Sequence, residues 1–202
     1  KLKLKAVSDS PIFVFELFRH LVGWREFLGH TRNFLPLFAS LAKARIDVVG
    51  ANISRDLARR IVREGNPALP PGLAATLTAN PLSPSAEAAL DADLLDNHCG
   101  QLPATRLPGM RLAQRARDAA MAVGLTTLPE RPAILVAGNG HVRGDYGVPA
   151  LLARLRPGAR IINIAFEEEG KATDAGTTYT HIWTTPAVHR DDPCKGFGQA
   201  RP

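Results

Sequence analysis

A chain of 202 residues with a 45% hydrophobic share is long enough for one buried core and too apolar for wholesale disorder. Its net charge of +6 favours an anionic partner such as lipid headgroups, nucleic acid or a carboxylate-bearing ligand, but scattered basic residues, a 6% aromatic share and the lack of a recognisable binding module argue against nucleic acid. No run approaches the roughly 18–20 uninterrupted apolar residues of a membrane-spanning helix.

Taken in chain order, Ile12-Phe13-Val14-Phe15 is the first short apolar run and ends at Glu16. A helix is expected over Arg32–Arg45, where Phe34, Leu35, Phe38, Leu41 and Ala42 recur at helical spacing. Ile46-Asp47-Val48-Val49-Gly50-Ala51 is the second run and ends at Asn52. Ser54 suits the N-cap of a helix to Glu64 that buries Leu57, Ala58, Ile61 and Val62. The stretch from Pro67 to Pro84 is rich in Pro, Ala, Leu and Thr, and a helix follows at Ser85–Asn97, so about 66–105 reads as a helical insert. Leu107–Leu125 is the strongest helix, with Met110, Ala113, Ala116 or Arg117, Ala120 and Val123 or Gly124 along one side. Ala133-Ile134-Leu135-Val136-Ala137 is the third apolar run, followed by a short helix over Val148–Leu155. Arg160–Phe166 and Thr180–Thr184 complete the set.

Apolar runs of this length read as strands buried on both faces, and their alternation with helices predicts an α/β fold. The expectation is a single domain over 1–202, a mainly parallel sheet flanked by helices, with the helical insert on it.

In an open parallel sheet, ligands gather outside the carboxyl ends of the strands. The polar residues ending the runs are Glu16, Asn52, Asn139, His141 and Glu167, so several should share one rim. Ala137-Gly138-Asn139-Gly140-His141-Val142-Arg143 is the most informative segment. Its two glycines are expected to let the backbone turn sharply and project His141 over the sheet end, where an imidazole can bind metal, move a proton or hold an anion. Arg143, Asp145 and Tyr146 follow closely. His98, in Asn97-His98-Cys99-Gly100, reads either as a helix cap or as a site residue. Gln114, Arg117 and Asp118 lie within about a turn of one another, as a solvated face or as support for the rim. The two cysteines, Cys99 and Cys194, fit no zinc spacing and no redox motif, which leaves two buried thiols or one long-range disulfide.

These segments, in this order, resemble ChaN-like proteins of the haem-binding uptake and Tiki superfamily. The likeness rests on Phe13–Glu16, Val49–Asn52, His98–Gly100, Ala113–Met121, Gly138–Arg143 and Asp191-Asp192-Pro193-Cys194, and spans roughly residues 12–197. Of the superfamily's two Gly-x-x-His motifs, Gly138-Asn139-Gly140-His141 matches the second. The first, expected on an N-terminal strand ahead of Phe13, has no match in this sequence.

The resemblance implies ferric haem as ligand, in bacterial iron or haem acquisition. It implies Tyr146 as axial ligand of the haem iron, since a phenolate can take that role, and His98 as an assisting residue. His141 becomes a rim residue or alternative ligand, while Arg143 and Arg117 are suited to the propionates. A cell-envelope location (periplasmic or lipid-anchored to the outer membrane) also follows from it, with an outer-membrane haem receptor as a candidate donor; a homodimer is expected because two open rims closed together would cover more of so large an apolar ligand. The competing expectation is a metal-dependent hydrolase, protease- or esterase-like, using His141 and Glu16; a third is a scaffold with a vestigial site.

Overall fold

The computed structural model describes residues 34–128, 132–170 and 178–196. The expected first strand, 12–15, and Glu16 lie outside these residues. The chain divides into two compact units, 1–50 and 51–202.

In the first unit the expected helix is α1, Leu35–Lys43, with Pro36 in its first turn, where a missing N–H costs nothing. Residues 46–50 form no strand, and Ile46 and Val49 are both about half exposed. This corrects the expected strand over 46–51: β-branched residues favour extended backbone, but a strand needs a ladder partner, and the described residues offer none.

The second unit is built around one long helix. Helix α2 spans Arg55–Glu64, α3 Pro71–Ala79, α4 Pro84–Asp96, α5 Leu107–Thr126 and α6 Val148–Leu155. Ser54 caps α2 as expected, its Oγ accepting from Leu57 N at 3.1 Å, and Ser83 does the same for α4 through Ala86 N. Helix α5 packs against α2, α3, α4 and α6. Small residues make this possible: Ala113, Ala116, Ala119 and Ala122 are buried and let neighbouring helices approach. Gly109 is the extreme case, since a Cβ there would stand 2.3 Å from the Val62 carbonyl oxygen of α2. Ile61, Leu77, Met121, Val148 and Leu151 fill the main core. A second cluster joins Ala86, Leu90 and Leu94 of α4 to Tyr146.

Two strands pair in parallel: β1, Ile164–Glu168, and β2, His181–Thr185, with Ile164 opposite His181 and Glu168 opposite Thr185. The described fold is therefore mixed α/β, with six α-helices and a two-stranded parallel sheet, a narrower sheet than the sequence suggests. Residues 133–137 form no strand, although they keep the alternation of one. Leu135 and Ala137 pack against the core while Ile134 (88%) and Val136 (65%) face outward. The strand expected from Arg160 begins only at Ile164. Immediately before it, the buried Asn163 is bonded sideways, its Nδ2 donating to the carbonyls of Val142 and Thr178 at 2.8 Å each. That amide ties the segment to two loops before the ladder starts.

Candidate functional site

The segment after residue 137 forms a 3-10 turn, Asn139–Val142, and then runs through Arg143–Gly147 into α6. Neither Gly138 nor Gly140 adopts a left-handed backbone, so the turn does not depend on them in the way the motif suggests. The glycine that sterics demand is Gly147. A Cβ there would lie 2.5 Å from the His141 carbonyl oxygen and 2.8 Å from that of Arg143. The bend from His141 to Gly147 folds back on itself, and only a residue without a side chain closes it.

Within this bend His141 is held from α5. Its Nδ1 stands 2.6 Å from Asp118 Oδ1 and 3.1 Å from Gln114 Nε2. The imidazole is 18% exposed and the carboxylate 3%. The spacing of Gln114 and Asp118, four residues on one helical face, brings both to the same nitrogen. Burial pushes the Asp118 carboxyl up to about 6, opposed by the hydrogen bond and charge of His141 and by Arg115 and Arg117. Its second oxygen, Oδ2, is buried without a hydrogen-bond partner. Asp118 also lines a small, partly open space of about 40 Å³, together with Arg115, Asp145, Tyr146, Ser83 and Arg154.

Arg143 and Tyr146 form a second, adjoining group. Arg143 makes a two-pronged pair with Asp145, at 3.0 and 2.7 Å, and reaches Asp93 Oδ2 of α4 at 3.1 Å. The Asp145 pair holds its guanidinium more firmly protonated than usual, against the effect of burial. The Arg143 guanidinium also lies 4.7 Å from the centre of the Tyr146 ring. Tyr146 is only 4% exposed and its hydroxyl donates to Asp93. Burial first, then the Asp93 hydrogen bond and charge, raise its phenol well above the ordinary value, with Arg143 opposing.

The structure thus brings His141, Arg143 and Tyr146 into one bend clamped between α4 and α5. Arg117 is placed differently: its Nη1 donates to Asn52 Oδ1 at 3.1 Å, and burial followed by Arg55 lowers its basicity. His98 stands in the turn after α4, its Nδ1 2.7 Å from the Leu94 carbonyl oxygen. Cys99, beside it, is bonded to Cys194, so the two cysteines form a disulfide. Of the other rim residues, Asn139 donates through Nδ2 to the Phe166 carbonyl at 2.8 Å, which sets the turn beside β1. Asp93 is the site residue that sequence reasoning missed; it sits 53 residues from Tyr146 on an otherwise ordinary amphipathic helix. Among the described residues no group of three His, Cys, Asp or Glu is placed to hold a metal ion, and no helix is long and apolar enough to cross a membrane.

A family model described as haem-binding uptake, Tiki superfamily, ChaN matches residues 13–152. Comparison with curated proteins and with solved structures gives no match.

Proposed function

The chain belongs to the ChaN family of the haem-binding uptake, Tiki superfamily, and from that premise we propose that it binds haem at the open rim beside the 138–147 bend, where His141, or Tyr146 as the family resemblance implies, would hold the iron. The observation that carries the choice of His141 is its bond to Asp118. Both polar contacts fall on Nδ1, which leaves Nε2 as the nitrogen for a metal. Metal-ligating histidines commonly present their other ring nitrogen to a carboxylate in this way.

The residues present fit haem in their donor chemistry, and their surroundings favour an open site over a closed pocket. A space of about 40 Å³ admits water but no macrocycle. Exposed apolar side chains are available nearby instead: Phe166 and Trp183 on the sheet, with ring centres 6.3 Å apart, and Ile134 and Val136 on the segment leading to the bend. Exposed apolar side chains such as the Phe166–Trp183 pair suit a flat apolar ligand.

Tyr146, the ligand that family resemblance suggests, is less suited in this conformation. Its hydroxyl is buried and given to Asp93, and its surroundings oppose the phenolate that iron needs. For the propionates Arg117 is better placed than Arg143, whose charge is already met by Asp93 and Asp145. His98, in the turn after α4, is kept in the proposal as an assisting residue, as the family resemblance implies.

An open site leaves one haem face wet, and a second copy of the chain would cover it; a homodimer therefore belongs to the proposal. So do delivery by an outer-membrane receptor and a place in the cell envelope, whether periplasmic or lipid-anchored. The Cys99–Cys194 disulfide supports an oxidising compartment. The hydrolase alternative would pair His141 with Glu16, which lies outside the described residues; among the described residues the acid beside His141 is Asp118.

Titration of purified protein with ferric haem, followed by the Soret and charge-transfer bands, tests the reading. His141→Ala is expected to lose the wild-type spectrum and Tyr146→Phe to keep it. The opposite result would return the iron to Tyr146.

A further inference from the structure

We propose that Asn163 is a positioning residue of the site: its buried side-chain amide ties the 138–147 bend to the start of β1, and so holds the polar side chains of the bend at a fixed distance from the exposed aromatic pair of the sheet. The proposal rests on the reading of this rim as the haem site. It is the same whether His141 or Tyr146 meets the iron, since both lie on the bend that Asn163 holds.

Both polar atoms of this side chain are bonded. Nδ2 donates to the Val142 and Thr178 carbonyls at 2.8 Å each, and Oδ1 accepts from Thr180 N at 3.1 Å. Two carbonyls at one end and an N–H at the other allow the amide a single orientation. Asn163 is 8% exposed, and a buried amide bonded this completely specifies one arrangement, because any other leaves a donor or acceptor without a partner. Its backbone is fastened too: the N–H donates to Thr180 Oγ1 at 2.9 Å, and that hydroxyl donates to the Asn163 carbonyl at 2.6 Å.

The ties reach the bend on both sides of Arg143. Val142 is bonded by the amide directly, and Gly144 N donates at 2.7 Å to the same Thr178 carbonyl that Asn163 holds. Toward the sheet, Asn139 Nδ2 reaches the Phe166 carbonyl, and Tyr179 donates its hydroxyl to the Asn139 carbonyl at 3.2 Å. Phe166 follows Asn163 by three residues and lies beside Trp183. The bend and the aromatic pair therefore share one bonded frame. A haem is a rigid plane, so a donor on the bend and apolar side chains on the sheet hold it together only at a fixed separation. Without the amide the bend leaves its register, and affinity falls in proportion to the time spent away; one tenth in register means about a tenfold loss. The saturated complex stays the same, because the iron's own ligand is intact.

The test has two arms. In haem-free wild-type protein labelled with nitrogen-15, the Asn163 side-chain amide is assigned by its absence in Asn163→Asp. It is expected to exchange its hydrogens with water far more slowly than exposed asparagine amides, and exchange as fast as theirs would overturn the proposal. In the second arm, ferric-haem affinity and the saturated Soret and charge-transfer spectrum are measured under conditions where urea unfolding shows each protein fully folded. The proteins are wild type, Asn163→Asp, Thr180→Val, Ile61→Val, His141→Ala and Tyr146→Phe. Asn163→Asp keeps the shape but sets a carboxylate against two carbonyls; it is expected to bind about tenfold more weakly or worse, with the wild-type spectrum at saturation. Thr180→Val loses only the hydroxyl bonds and is expected to lose a smaller part. Ile61→Val, in the core of α2, lowers the urea midpoint without touching the bend and is expected to bind as wild type; an equal loss there would reduce the effect to stability and overturn the proposal. Wild-type affinity in Asn163→Asp would do the same, and if that variant does not fold, wild-type affinity in Thr180→Val decides against it. Wild-type binding by both His141→Ala and Tyr146→Phe would overturn the reading of the rim itself, and this proposal with it.

Discussion

The hydroxyl of Tyr146 donates to Oδ2 of Asp93, an acid 53 residues earlier in the chain, and Arg143 lies 3.1 Å from the same oxygen. Three side chains from two distant segments thereby close the bend that carries His141 onto the end of α4. The phenol is the neutral member of this group and must stay so, because Asp93 and Asp145 face it with negative charge while Arg143 offsets only part of that.

A dependence on alkaline pH follows. Both tyrosines of the chain, Tyr146 and Tyr179, have raised values; burial is the leading cause for each, and for Tyr179 the charge of Arg143 opposes it while Glu167, Asp93 and Asp145 add to it. An acid raised on folding keeps its proton in the native state after the unfolded chain has lost it. The associated stability is present below pH about 10 and falls as pH rises beyond that. Phenolate absorbance near 295 nm should appear at about pH 10 in urea and only at clearly higher pH in native protein. Tyr146→Phe should flatten the alkaline loss and cost about 1–2 kcal/mol at neutral pH, read from urea unfolding. Two native phenols titrating at the free-tyrosine value would contradict the buried placement.

Two glycines of the bend make opposite predictions. A methyl on Gly147 would meet two backbone carbonyl oxygens at 2.5 and 2.8 Å, and backbone cannot swing aside as a side chain can. Gly147→Ala should cost about 1–3 kcal/mol. A methyl on Gly140 meets only the Tyr146 hydroxyl, at 3.7 Å, an ordinary contact. Gly140→Ala should therefore stay within about 0.5 kcal/mol of wild type, even though Gly140 belongs to the more recognisable motif. Thermal melts of the two variants side by side give the comparison.

That contrast shows what the sequence could and could not reveal. Helices were legible because their evidence is local: Ser54 caps α2, Val148–Leu155 forms α6 as expected, and α5 differs from the expected span by one residue at its end. The buried face of α5 was only partly legible: Ala113 and Ala116 are buried as expected, Met110 and Ala120 are only half-buried, and Ala119, Met121 and Ala122 complete the face with Asp118 among them. Strands were harder, because a strand exists only with a partner. Residues 133–137 have the right composition and alternation yet no ladder, whereas β1 and β2 find each other. His141 stood out through its motif, and Gln114 and Asp118 through helical spacing. Asp93 did not, because nothing local distinguishes it from Asp91, which bonds Arg111, or from other acids on α4.

The two arginines proposed for the propionates should separate cleanly. Arg143 is 18% exposed and bonded to two aspartates, so Arg143→Ala leaves Asp93 and Asp145 facing each other and Tyr146 without their countercharge. It should destabilise the fold by about 2–4 kcal/mol, seen as a lower urea midpoint before any haem is added. Arg117 has one side-chain bond at the surface, to Asn52. Arg117→Ala should leave the urea midpoint within about 0.5 kcal/mol and weaken ferric-haem binding by roughly tenfold, the effect of one lost charge-assisted hydrogen bond. Normal haem affinity in Arg117→Ala would remove it from the ligand's surroundings.

Cys99 and Cys194 are 95 residues apart in sequence, with Cα atoms 5.6 Å apart, so their bond closes most of the second unit into a loop. It pins the short 3-10 turn Pro193–Gly196 to the turn after α4, next to His98. Cross-linking so long a loop restricts the unfolded chain, and removing such a bond costs about 2–5 kcal/mol. Cys99→Ser, or wild type under reductant, should therefore unfold at lower urea, and a thiol count in denaturant without reductant should find none. Cys99 also holds a left-handed backbone, φ 58°, which a non-glycine residue adopts at a cost of about 1–2 kcal/mol. Cys99→Gly should thus recover part of what Cys99→Ser loses, because glycine takes that conformation freely. Equal losses in the two variants would mean that the backbone there relaxes once the tail is released.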